Sequence, residues 1–597
     1  MIKIKAILFV ALLLFASQGF SQINYSDPAP VDPAARIGKL SNGMTYYIRH
    51  NEEPKERASF YMIQNVGALL ETDSQNGLAH FLEHMAFNGT RNYPDKGIIN
   101  MLEKHGVAFG RNINAYTSYG ETVYNLSDVP VNSKGLIDSC LLVLHDWSDY
   151  LLLTDQEIDA ERGVITEEWR TRRNASFRLQ RQYMPVLLNG SKYMKRDVIG
   201  DLGVIKSFKY DTLRNFYHNW YRTDLQAIAI VGDFNVDSVE QKVRTLFSEI
   251  KPVKNPKKRQ FYAVPDHNDP LYVLATDKEA ASYSVTLYIK HDATPRQDKN
   301  LNYLREQTIE SLFNMMARDR ISELLQKKNP PFVNGTISYS GLVPGYNVLS
   351  ISATAKTNQD ETAFKAIYTE AERIYKHGFT DGELERAKHN LMTSLESRYK
   401  QRDKISNDQY AIDFKNYYID GEPLTPIDFD LNFARQIMPT ITAGEVVAKL
   451  KQWMTPENRV FVVIGPDKPE AKHLSKEDAL KITADVEAGN IEPYVDQQVP
   501  TELVPEKLKG SKIVRTRELP EFKAVEWTLA NDAKVVFRRV AHEKDQVTLV
   551  AESNGGSSKV ENGKLPSAMM LPQFVGNFGV GDFDATALRK ALAGKRV

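Results

Sequence analysis

Three side chains on one short run could take hold of a metal ion. In Gly77-Leu78-Ala79-His80-Phe81-Leu82-Glu83-His84-Met85-Ala86-Phe87, two histidines stand four residues apart with a glutamate between them. The run reads as helix. Residues i and i+4 of a helix share a face, so His80 and His84 can both meet one ion. Glu83, three residues beyond His80, projects beside the same ion, where its carboxylate could take a proton from water. This H-x-x-E-H order has a known mechanical use in metal-assisted hydrolysis. With 12 His in 597 residues, a chance match is expected in on the order of one chain in a hundred. The motif therefore needs a third ligand, and zinc in a catalytic site takes three protein ligands and keeps one position open.

Candidates for that ligand lie in Glu157-Ile158-Asp159-Ala160-Glu161-Arg162-Gly163-Val164-Ile165-Thr166-Glu167-Glu168-Trp169-Arg170. On a helix Glu161 and Glu168 are seven apart and share a face, whereas Glu167 points away from it. One acid of the pair could touch the ion while the other steadies a ligand. Standing alone, the segment would read as a solvated acidic face.

The elements that must position these groups form a large chain. A length of 597 residues exceeds one core and predicts about four domains. Lys+Arg and Asp+Glu both number 76, which leaves no basic footprint for nucleic acid or general membrane-surface binding. Lys3 and Lys5, the apolar run Ala6–Ala16 and the small residues up to Ser21 read as a secretory signal peptide cleaved after Ser21. No later stretch is long enough to span a bilayer. A periplasmic or secreted protein without stable membrane insertion is expected. Cys140 is the single cysteine, so no internal disulfide or cysteine zinc site can form, and its amphipathic surroundings predict a buried helical thiol.

Two internal repeats set the architecture. At an offset of 233, Trp220 and the strand-like Ala227–Gly232 fall on Trp453 and Val460–Gly465. At an offset of 489, Leu40, Asn42, Arg49, Asn65 and Gly67 fall on Leu529, Asn531, Arg538, Asn554 and Gly556. Within the first unit, Tyr46–Arg49, Ser59–Ile63 and Gln226–Val231 read as strands. Ile98–Lys104, Leu136–Leu153 and Asp155–Arg173 read as helices. This mixture predicts α+β sandwiches with each sheet covered by helices on one face. The expected division is 1–21 signal peptide, 30–255 metal-binding unit, 256–490 second unit, 491–520 linker and 521–597 an incomplete third unit. The whole stretch Ala471–Lys512, rich in Pro, Glu and Lys, has linker composition. Carrying His80, Glu83 and His84 forward by 489 lands on Met569, Pro572 and Gln573, so the later half lacks the ligands. It also stops early, and the chain reads as a truncated form of a longer one.

The order of motifs is specific. His80-Phe81-Leu82-Glu83-His84-Met85-Ala86-Phe87-Asn88-Gly89-Thr90, then Asn114-Ala115-Tyr116-Thr117 with Thr122-Val123-Tyr124, then Glu161-Arg162-Gly163-Val164-Ile165 ending at Glu168, resembles the pitrilysin/insulinase family of zinc peptidases. It resembles especially the large periplasmic members of Gram-negative bacteria. The resemblance implies repeated α/β sandwich units of the clamshell type, here two complete units and the start of a third. It implies one Zn²⁺ per chain on His80, His84 and Glu168, with Glu83 as base and Glu161 steadying a ligand. A metal so held would lower the pKa of water and polarise a scissile carbonyl, while Glu83 would move the proton to the leaving amine. The segment Asn114, Ala115 and Tyr116 would pair with extended peptide as an added strand. Short or unfolded peptides are the implied substrates, and a dimer or partner chain could supply the missing half. A non-catalytic binding or scaffold role, or inactivity without a C-terminal half, is the alternative.

Overall fold

The computed structural model describes residues 23–595 apart from 501, 505 and 541–545. The signal-peptide segment 1–21 lies outside the described residues. The first sheet is built from β1 (Arg36–Lys39), β2 (Thr45–His50), β3 (Arg57–Gln64), β4 (Ile113–Thr117), β5 (Thr122–Pro130) and β6 (Gln226–Gly232), in the spatial order β1-β2-β6-β3-β5-β4. The second contains β7 (Leu271–Asp277), β8 (Tyr283–Asp292), β9 (Asn334–Val343), β10 (Tyr346–Ala355) and β11 (Arg459–Pro466), ordered β7-β11-β8-β10-β9. The two orders are the same once β1 is set aside. In each, the last strand in sequence inserts between the first two, parallel to one and antiparallel to the other. The 233-residue repeat is thus a repeat of topology.

The helices that matter to the site are α1 (Leu78–Met85), α2 (Gly97–Glu103), α3 (Leu136–Asp149), α4 (Asp155–Thr171) and α5 (Ala175–Leu187) in the first unit. In the second, α6 (Asp360–His377), α7 (Asn407–Ile419) and α8 (Lys476–Ala488) are the relevant ones. One face of the first sheet packs on its own helices through Phe60, Met62, Ile228 and Ile230, against Leu78, Phe81, Leu82, Leu141 and Leu144. Cys140 is buried in this core.

The opposite face is also covered, which corrects the expectation of helices on one face alone. Helix α7 of the second unit seats Ala411 and Phe414 on Tyr47, Tyr61, Ile63, Val123, Ala227, Ala229 and Val231. Tyr47 stacks on Phe414 with ring centroids 5.2 Å apart. The small residues of β6 let the helix come close, and β6 is buried along its whole length. In return, α5 of the first unit lies on β7 and β11, with Leu187 and Met184 against Val460, Val462 and Leu271. Arg178 of α5 donates to both oxygens of Asp277 at 2.6 and 2.7 Å. Each unit lends a helix to the other's sheet, so the two cores are bound into one structure.

Two further readings are corrected. Helix α3 stops at Asp149 rather than Leu153, because Leu151 bridges to Thr90 and Leu153 turns into the left-handed region at φ 47°. The stretch Ala471–Lys512 is not all linker. Ser475 caps α8 by accepting from the Asp478 amide, and Ala479, Thr483 and Val486 are buried beside α6. Its charged composition hid a buried stripe at helical spacing. Strand β12 (Ile513–Leu519) likewise falls within the 491–520 span.

β12, β13 (Ala524–Leu529) and β14 (Lys534–Phe537) form a third, small sheet. β13 pairs with β14 as Val525 to Phe537 and Thr528 to Lys534, and β1 pairs with β2 as Arg36 to Ile48 and Lys39 to Thr45. Each pair of the first hairpin shifts by 489 onto a pair of the second, so the faint repeat is a shared register. Helix α9 (Leu565–Phe574) falls where α1 falls after the same shift, and it carries Met569, Pro572 and Gln573 in place of the histidines and the glutamate.

Candidate metal centre

Helix α1 has only eight residues, so its placement depends on what holds its start. Gly77 occupies the left-handed region at φ 101°, and a Cβ there would lie 2.6 Å from the Cα of Gly200. Backbone therefore meets backbone where the helix begins. The helix has no side-chain cap of its own. Glu71, fully buried, supplies one from a distance: its carboxylate accepts from the amides of Gly77 at 3.0 Å and Ala79 at 2.8 Å. Burial pushes the Glu71 pKa up to about 8, against the pull of those two amides. Gly77→Ala combines a strained φ with a steric clash. It should cost about 2 kcal/mol or more of stability, read as a lower urea midpoint of the metal-free chain.

The helix delivers His80 and His84 to one spot, and α4 delivers Glu168 to the same spot. Glu168 Oε2 lies 3.3 Å from His84 Nε2 and 3.7 Å from His80 Nε2. One donor atom from each of the three residues lies within 4.8 Å of the other two. Bonds of about 2.0–2.1 Å around a tetrahedral ion would space its donors about 3.3–3.4 Å apart. Two imidazole nitrogens and a carboxylate oxygen at these separations fit a zinc ion with little movement. Glu168 is also ion-paired with Arg172, one turn further along α4.

Glu161 stands one layer out. Its Oε1 is 2.7 Å from His84 Nδ1, and its Oε2 accepts from Asn88 Nδ2. Glu167, as its helical phase predicts, faces solvent and pairs with Arg170 at 2.9 Å. Glu83 is buried but absent from the converging set. Its Oε2 accepts from Thr117 Oγ1 at 2.6 Å, and Thr122 Oγ1 approaches Thr117 at 3.4 Å.

The electrostatics divide the groups by role. Burial pushes the His80 pKa down to about 4, reinforced by His84. Burial works against charge on His84 too, but hydrogen bonds to Glu161 and Glu168 outweigh it and push the pKa up to about 9. Glu161 and Glu168 are both held below the usual carboxylate range. Burial opposes their charge, and the hydrogen bonds to His84 overcome it. Glu83 moves the other way, raised by burial despite the Thr117 hydroxyl. A carboxyl with raised proton affinity beside a metal-ligand cluster is suited to proton transfer.

Asn114, Ala115 and Tyr116 lie on β4, at the end of the first sheet. Gly110 donates from its amide to the Ile113 carbonyl at 3.0 Å, so Ile113 faces the outer edge. Strand alternation then turns the N–H and C=O of Ala115 the same way, towards a side on which no described strand pairs. Tyr116 is exposed, with its hydroxyl on Glu121 at 2.7 Å.

Sequence reasoning overlooked Glu71, Asn88, Lys96 and Arg172, and it missed the contact of Thr117 with Glu83. Arg172 had a local signal, its i,i+4 spacing from Glu168. The others act across 6 to 73 residues, where no periodicity points.

Known proteins share the sequence family and the fold. The family model described as Insulinase (Peptidase family M16) matches residues 46–183, and that described as Peptidase M16 inactive domain matches 207–391. A zinc protease PQQL-like protein of Arabidopsis thaliana is 28% identical over 94% of this chain and 55% of its own length. The crystal structure of the periplasmic protease PqqL from Escherichia coli superposes with a TM-score of 0.73 at 25% identity, covering 94% of this chain and 62% of that one. Its first half, solved separately, superposes with a TM-score of 0.72 at 26% identity, covering 79% of this chain and all of that one. The chain thus spans less than two thirds of the length of these full-length relatives. With the two models side by side between residues 46 and 391, together over half of the chain, and the same fold in the solved neighbours, the chain belongs to the insulinase family of peptidases, peptidase family M16.

Proposed function

We propose that this chain is a zinc-dependent peptidase of the periplasm that hydrolyses bonds in short or unfolded peptides. The observation that carries the reading is the convergence of His80 Nε2, His84 Nε2 and Glu168 Oε2 on one point. A single zinc ion held there would act as a Lewis acid on the scissile carbonyl and lower the pKa of water. Glu83 would act as the general base, its free carboxylate oxygen taking a proton from the attacking water and giving it to the leaving amine. Thr117 fixes one oxygen of Glu83 and leaves the other to move the proton. Glu161 steadies His84. The open side of β4 takes extended peptide as an added strand, with Asn114, Ala115 and Tyr116 as the contact segment.

In this reading residues 30–255 carry the chemistry and 256–490 are a non-catalytic unit that braces it. Residues 521–597 begin a third unit with no ligands at the equivalent helix. Relatives named as zinc proteases, and a neighbour named as a periplasmic protease, support the assignment. No described helix is long and apolar enough to cross a membrane. The test is cleavage of an unstructured fluorogenic peptide by the full chain. Activity should vanish with a chelator and return with stoichiometric zinc. A chain that binds zinc yet cleaves nothing would favour a binding role for this half.

A further inference from the structure

We propose that Asn88 and Lys96 are positioning residues of the metal centre. With Glu161 they form a one-way hydrogen-bond relay that keeps a proton on His84 Nδ1 and so turns the lone pair of Nε2 towards the metal. The inference rests on the zinc-site reading above and adds two residues to it.

The direction of the relay follows from what each member can do. Lys96 at one end is an ammonium, which only donates, and it donates to Asn88 Oδ1. Glu161 at the other end is an ionised carboxylate, which only accepts. It accepts from Asn88 Nδ2 on Oε2 and faces His84 Nδ1 at 2.7 Å on Oε1. Between a pure donor and a pure acceptor the amide of Asn88 has one permissible orientation. Flipping it would set oxygen against carboxylate and NH₂ against ammonium. Asn88 is 4% exposed and Glu161 7%, so water does not compete for the bond between them. With Glu161 pinned at both oxygens, His84 must present Nδ1 as a donor. Its Nε2, 3.3 Å from Glu168 Oε2, is then the nitrogen left for the ion.

His80 shows the contrast. Its Nδ1 is buried and has no hydrogen-bond partner among the described residues. One histidine of the pair is held from behind and the other is not. The preset ligand is His84.

Lys96 can serve as an anchor because its loop is braced. Asp146, fully buried, accepts from Thr90 Oγ1 at 2.7 Å and from the Asn92 amide and side chain at 2.8 Å each. That clamp ties the segment between Asn88 and Lys96 to helix α3. The relay therefore runs from a surface lysine to a metal ligand through groups fixed at each step.

The test is zinc affinity of the full chain, measured by competition with a chromophoric chelator. Asn88→Leu keeps volume and removes the amide, and it should weaken zinc by about 10–100-fold, the usual effect of losing such support. Lys96→Met should weaken it by about tenfold, while Lys96→Arg, which keeps a donor-only cation, should stay within about twofold of wild type. A merely structural role for the loop would not separate Met from Arg. Lys96 is on the surface, so its variants decide the question if Asn88→Leu melts. Wild-type affinity in both Lys96→Met and Asn88→Leu, with one zinc bound to the unaltered chain, would overturn the relay and leave the zinc site standing. Failure of the unaltered chain to bind zinc would remove both.

Discussion

Glu83→Gln should leave one zinc bound per chain while kcat falls by about 10²–10⁴-fold, the range expected when a general base is removed. The glutamate is not among the converging donor atoms, and it is tied to Thr117 rather than to a ligand. Glutamine fits the same space and can still accept the Thr117 hydroxyl through its own oxygen, so the helix and both histidines stay in place. What glutamine cannot do is take a proton. KM should therefore move by only a fewfold, because the open side of β4, proposed to take the peptide, is untouched. Zinc content by elemental analysis and kcat with a fluorogenic peptide separate these effects. A fall of less than about tenfold would place the base elsewhere. Glu161 could not take over, since its carboxylate is engaged by His84 and Asn88.

Much of this site can be read from the chain because its parts are local. His80, Glu83 and His84 sit on one helix, and Glu161 and Glu168 on another, so helical phase alone separates Glu168 from Glu167. The strand containing Ala115 and Tyr116 announces itself by its residues. The 489-residue repeat, faint as identity, survives as an identical hairpin register because pairing geometry constrains backbone more tightly than side chains. What stayed hidden joins segments far apart. Nothing local tells that Phe414 covers Tyr47, or that α5 crosses to β7, since both are choices between units made after each has folded its own sheet. The small face of β6 (Ala227, Ala229 and Val231) hinted that something packs closely there without saying what. The charged stretch around α8 misled for another reason: composition averages over a helix whose buried stripe is only three residues wide.

Glu71, Thr117, Asn88 and Lys96 share one property. Glu71 and Thr117 touch helix α1 or its glutamate, Asn88 touches Glu161 and Lys96 touches Asn88, each from a different element, and each is an ordinary polar residue with no signature of its own. Motifs record the atoms that do chemistry, whereas the groups that aim those atoms are chosen by tertiary contact. A candidate metal centre read from motif alone therefore names ligands and leaves out the groups that support them.

Proton competition gives the second large effect. At pH 7 zinc binding should release about one proton per chain, and apparent affinity should rise about tenfold per pH unit from pH 6 to near 9. In the metal-free site burial opposes charge on His84, but Glu161 and Glu168 prevail and hold its pKa up to about 9. His80 is already neutral, since burial and the neighbouring His84 keep its pKa near 4. Glu168 is already a carboxylate. Only His84 has a proton to lose. Because its pKa is raised, the proton competes with the ion at every pH below about 9, and the competition fades above it. Calorimetry in two buffers of different ionisation enthalpy reads the proton count, and chelator competition from pH 6 to 9 reads the slope. A slope of two would require His80 to be charged as well. A flat profile would mean that His84 is neutral throughout and that the two carboxylates do not act on it. The physical point is that the metal-free site holds itself together. His84 as an imidazolium lies between Glu161 and Glu168, so its proton takes the electrostatic place of the ion, and zinc would enter by exchanging with it.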